Sequence, residues 1–139
     1  MKMKILVMLL LSSMIGLASC SYGSSIEDTD WVLQSYGEFG NLKDVLTDTE
    51  ITAEFISSEG TVEGSAGCNS YSGSYEVKDS QLSIPGPIAA TEMYCMEPEG
   101  VMEQERQYLE ILQAAKSYSV EDGELQINCG GQVLIYTTE

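Results

Sequence analysis

The stretch "EGSAGCNSYSGSYEV", residues 63–77, decides how the rest of this 139-residue chain is read. Small residues and turn-formers crowd around Cys68 and Asn69, and Tyr71 and Tyr75 follow with the spacing of one strand face. Glycine reaches positive φ without strain, and asparagine either does the same or satisfies local backbone groups. The local pattern therefore predicts a strand–turn–strand unit. A cysteine in such a turn also suits a nucleophile or a metal ligand. The nucleophile needs a base, and the chain contains no histidine. Cys-His and Ser-His-Asp sites within one chain are thereby excluded.

Outward from this turn, short strand-like runs alternate with turn signals. Upstream, "DWVLQSYG" (30–37) is a strand candidate, and "TEITAEFIS" (49–57) places Ile51, Ala53 and Phe55 on one face. "SSEG" turns the chain into "TVEGSAG". Downstream, "GSYEV" and "QLSI" read as strands joined through Lys78-Asp79-Ser80, and "PGPIAA" as a loop or sheet edge. One helix is expected in "PEGVMEQERQYLEILQAAKS" (98–117). Val101, Tyr108, Leu112 and Ala115 share a face there, and Glu103, Arg106, Gln107 and Glu110 lie opposite. Pro98 suits its first turn, and Lys116 its far end. The tail holds three alternating runs separated by Asp122-Gly123 and Gly130-Gly131, both suited to two-residue hairpin turns. The expectation is a mainly β chain with one helix: a curled antiparallel sheet or small β-barrel against which an amphipathic helix packs.

The opening "MKMKILVMLLLSSMIGLASC" fixes the expected compartment. Lys2 and Lys4 precede an apolar run from Ile5 to Leu11, and small residues then lead to Cys20. The run is shorter than the roughly 20 residues of a spanning helix. Leu17-Ala18-Ser19-Cys20 resembles a lipobox, which implies a signal peptide over 1–19, lipid attachment at Cys20, and export to the cell envelope. Ser21 leans towards the outer membrane if the cell has two. Residues 20–29 read as the lipidated cysteine and a flexible tether, and 30–138 as one domain.

Six Lys/Arg face 22 Asp/Glu, a net charge of −16. After removal of the leader, four bases remain against the same acids, or −18. Such a surface repels phosphate backbones and argues against nucleic acid as a partner. The membrane, through Cys20, and an envelope protein are the expected partners. No cofactor is expected.

Read with its surroundings, the opening stretch resembles the META domain, or HslJ-like, family. The resemblance rests on Trp31-Val32-Leu33, then on Gly64, Gly67, Cys68, Asn69, Tyr71, Gly73 and Tyr75 in order. Thr91-x-Met93-x-Cys95, the helix and the closing hairpin follow. Membership implies a compact antiparallel β-barrel-like fold with one packed helix, exported or lipid-anchored members, and a link to heat-shock response. It transfers no catalytic residue. Cys68 and Cys95 are the cysteines of the pattern, so the resemblance pairs them in a disulfide, the default state outside the cytoplasm. Cys129 departs from the pattern and is expected either as a buried apolar thiol or as a link to another chain.

Rival constellations are weaker. Zinc's usual C-x₂-C spacing is absent, and Met93, Cys95, Met96 and Met102 could take copper(I), though such methionines more commonly fill a core. "EDTD" (27–30) and "DVLTDTE" (44–50) lack the calcium-loop pattern and read as tether and solvated turn. Tyr71, Tyr75, Tyr94, Tyr108, Tyr118 and Tyr136 are expected as packing, with a ligand cavity as the rival. The resulting expectation is a non-enzymatic, lipid-anchored envelope protein with a stress-related or protein-contact role. A small-ligand-binding barrel and a hydrolase are the alternatives.

Overall fold

The computed structural model describes residues 25–138. The strands are β1 (Trp31–Glu38), β2 (Asn41–Asp44), β3 (Thr52–Ile56), β4 (Thr61–Ser65), β5 (Ser70–Ser74), β6 (Glu76–Lys78), β7 (Gln81–Ser83) and β8 (Ala89–Ala90). Helix α1 (Val101–Gln113) follows, then β9 (Ser117–Glu121), β10 (Glu124–Asn128) and β11 (Gln132–Thr138). They form one antiparallel sheet in the order β6-β7-β9-β10-β11-β1-β3-β4-β5-β8, with β2 paired to β1. β5 and β6 lie near opposite ends of that order, yet only Tyr75 separates them in the chain. The sheet must therefore curl until its ends nearly meet, and the result is a half-barrel.

Local sequence accounts for most of this. In β3, Ala53 and Phe55 turn inward with Ile51 just before them, while Thr52 and Glu54 are half-buried on the other side. Asp122 and Gly123 both take positive φ, as do Gly130 and Gly131, closing the β9–β10 and β10–β11 hairpins as the sequence predicts. β1 forks: Trp31 and Val32 pair with β3, whereas Ser35 to Glu38 pair with β2. A bulge between Leu33 and Ser35 marks the same strand against β11. Helix α1 lays Tyr108 and Leu112 (both 0% exposed) into the concave side, where Trp31, Phe55 and Tyr136 are also buried.

Several details differ from the sequence expectation. "GSYEV" is not one strand: Tyr75 bonds Gly60 through its N–H and sits where the chain leaves β5 for β6. β2 carries no apolar alternation, its four residues all being exposed, and so gave no signal. Pro98 precedes the helix instead of opening it; its peptide bond is cis, and Gly100 at φ 88° caps the N-terminus. The tether expected for 20–29 does not reach through residues 26–29. Ile26 is 1% exposed, its carbonyl accepts the Trp31 indole N–H at 2.9 Å, and Asp28 Oδ1 accepts the Ser57 N–H at 3.0 Å. Ile26 and these polar contacts together dock that segment.

Candidate functional site

The opening stretch folds into a knot centred on Asn69. Cys68 and Cys95 form the expected disulfide, with Cα atoms 5.9 Å apart. Asn69 is 2% exposed and does not take positive φ. Its amide N–H₂ donates to the Met93 carbonyl (3.0 Å) and to Glu105 Oε1 (2.6 Å). Its Oδ1 accepts the Thr91 hydroxyl (2.9 Å) and the Met93 N–H (2.7 Å). That is the full capacity of a side-chain amide. Glu105, from α1, accepts the N–H groups of Cys68 (3.1 Å) and Asn69 (2.6 Å) through Oε2. Its neighbour Gln104 accepts the Leu46 N–H (2.7 Å) and donates to Thr49 (3.1 Å). Turn, Thr91–Cys95 segment and helix are thus tied at one point.

The motif glycines have identifiable reasons. Gly67 takes φ +112° in the turn. At Gly64 a Cβ would stand 2.2 Å from the Thr52 carbonyl oxygen, so close approach of β3 and β4 demands glycine there. Gly73 is buried against Ile88.

Inside the half-barrel three phenols form a chain. The Tyr71 hydroxyl donates to the Thr52 carbonyl at 2.8 Å. It therefore accepts from Tyr108 at 2.7 Å, which in turn accepts from Tyr136 at 3.0 Å. Burial holds all three phenols well above the ordinary value of 10.0. The rings pack against one another in the interior: Tyr71 meets Tyr108 edge-on at 5.6 Å, and Tyr75 meets Phe55 at 5.2 Å. Tyr94, in contrast, is 79% exposed. Met93 and Met96 are exposed too, so they do not fill the core as expected. Cys129 is buried, and burial pushes its thiol up to about 12, the behaviour of the apolar-thiol reading and not of an interchain link. Cys20 lies outside the described residues.

A sizeable concavity is external. A groove of about 820 Å³ runs across the solvent side of β1, β3, β4, β5 and β8. Small or short residues such as Ser70, Ser72, Ala89 and Ala90 line it, with Asp30, Glu54 and Glu63 as its charged groups. Sequence reading missed this site, because its residues are the unremarkable outward positions of alternating strands. Among the described residues no group of three or more His, Cys, Asp or Glu is placed to hold a metal ion. No helix among them is long and apolar enough to cross a membrane.

A curled antiparallel half-barrel, plugged by one helix and stapled beside its β4–β5 turn, defines a small β scaffold with a filled interior. The META domain family matches residues 24–139, and the chain belongs to that family. A protein from Burkholderia xenovorans, solved by NMR, is 31% identical with a TM-score of 0.68, covering 82% of this chain and 83% of that one. A second NMR structure is 25% identical, with a TM-score of 0.60 over 81% of this chain and 91% of that one. A DUF4847 family protein from Bacteroides vulgatus shares the fold at 12% identity and a TM-score of 0.58, over 82% and 94% of the two chains. No curated protein matches this chain.

Proposed function

We propose that this META-family protein is a non-enzymatic, lipid-anchored component of the cell envelope that acts by contacting another protein, in a stress-related role. The observation that carries the reading is where space is left in the fold. Tyr71, Tyr108 and Tyr136 occupy the interior, whereas the sizeable concavity lies outside on the sheet. An interior ligand would have to displace buried aromatics, each contributing on the order of 1.5–3 kcal/mol by burial. The lipobox-like Leu17–Cys20 supports an anchor, and the packing of Ile26 keeps it short. Six residues span at most about 20 Å, so the domain would stay close to the bilayer while its charge keeps it off anionic headgroups.

Crosslinking and pull-down from intact envelopes test this, with a Cys20→Ser form as control. The anchored form is expected in the membrane fraction with a crosslinked protein that the control fails to capture. Equal fractionation of the two forms would remove the anchor, and an identical capture profile would remove the contact role.

A further inference from the structure

Resting on that protein-contact reading, we propose that the external groove receives an extended, lysine- or arginine-bearing segment of the partner. Three features of the groove argue for this occupant. First, Glu54 and Glu63 stand directly opposite each other in the β3–β4 register, both on the solvent side. Like charges in that arrangement destabilise a sheet, and neither carboxylate has an ion-pair or hydrogen-bond partner among the described residues. Second, Asp30 adds a third acid, and no basic residue lines the groove. The four bases of the domain lie elsewhere: Lys43 on β2, Lys78 on β6, Arg106 on α1 and Lys116 beyond it. Among the described residues no base meets this site, so its cation would come from outside. Third, the remaining walls suit a polypeptide. Gly64, Ser72, Ala89 and Ala90 leave room for a main chain beside the larger Val32 and Tyr71, and β8 ends the sheet with its outer edge unpaired.

Other occupants fit less well. A second copy of this chain carries the same large negative charge, and nucleic acid or an anionic lipid surface would be repelled. In an extended peptide alternate side chains point one way, so basic residues at every second position would all face the acids of the sheet.

The test uses the lipid-free Cys20→Ser chain and a labelled Ala-Lys-Ala-Lys-Ala-Lys peptide, read by fluorescence anisotropy and by amide chemical shifts. Binding is expected to weaken with salt and to shift Asp30, Glu54, Glu63, Ser72 and Ala90. The Glu54→Gln/Glu63→Gln pair is expected to lower affinity about tenfold, through the loss of two ion pairs. Ser72→Arg, which places a cation in the groove, should lower it likewise. The Glu103→Gln/Glu110→Gln pair on the far helix should leave it unchanged. Equal weakening by both glutamine pairs would mean diffuse attraction to an acidic protein and overturn the proposal. Spermine competing as well per charge as the peptide would overturn the polypeptide assignment. A chain that captures a partner in envelopes yet ignores the basic peptide refutes the groove and leaves the contact reading standing.

Discussion

Glu105 gave no hint of its role before the fold was known. In sequence it is one of several acids on a helix rich in them, and the helical pattern singles out Glu103 and Glu110 equally well. The structure separates them by surroundings. Glu103 is exposed, and hydrogen bonds from Arg106 and Gln107 hold its carboxyl down to about 2. Glu105 is 6% exposed and receives three hydrogen bonds from the Cys68–Asn69 turn. Replacing one oxygen by an amide N–H₂ in Glu105→Gln turns a donor onto buried donors. The expected loss is about 2–4 kcal/mol in urea unfolding, since hydrogen bonds to charged groups are strong and orphaned buried donors costly. A loss below about 1 kcal/mol would mean that the turn does not depend on the helix. Asn69 was legible as a structural residue, but its partners were not: they lie 22 to 36 residues away.

At the scale of elements, the disulfide and the hydrogen bonds of Asn69 close the same loop between β5 and the Thr91–Cys95 segment. The cysteines are 27 residues apart, so chain entropy alone gives the bond roughly 3–4 kcal/mol. Removing both sulfurs by Cys68→Ala/Cys95→Ala is expected to reduce stability by that amount in denaturant titration. A much smaller drop would show that the denatured chain already holds this loop closed without the bond. The elements with strong local signals, α1 and the two C-terminal hairpins, were readable because period and turn chemistry agree there. β2 was not readable as a strand, and β8 was readable only as a loop or sheet edge. They are four and two exposed residues long, and only their neighbours in the sheet make them strands. The split of "GSYEV" at Tyr75 has the same origin, because that residue serves the crossing between the ends of the curled sheet.

For the molecule as a whole, the phenol chain links helix α1 to β5 and β11 and makes alkaline pH a test of the core. The folded state raises the pKa of Tyr71, Tyr108 and Tyr136 above 10.0, and that of Cys129 from 9.0 to about 12. A raised pKa means that the unfolded chain releases protons first, so stability falls as pH rises. These groups have no effect below about pH 9, and Cys129 begins the decline above it. Above pH 10 each buried tyrosine steepens the loss by about 1.4 kcal/mol per pH unit. Denaturant titrations from pH 8 to 12 should show this curve, with a shallower fall for Tyr136→Phe. An unchanged slope in that variant would place its hydroxyl in contact with water.

The sequence by itself determined the class of fold, the helix, the hairpins, the family and the strongly acidic surface, since each rests on short-range pattern, composition or ordered motifs. Through the family pattern it also paired Cys68 with Cys95. Only the tertiary structure decided that Ile26 docks, that Cys129 is enclosed and that Met93 and Met96 face water. It alone brought Glu54 opposite Glu63 and left a groove beside them. Burial and concavity arise when distant segments meet, and no local spacing in the chain encodes which ones do.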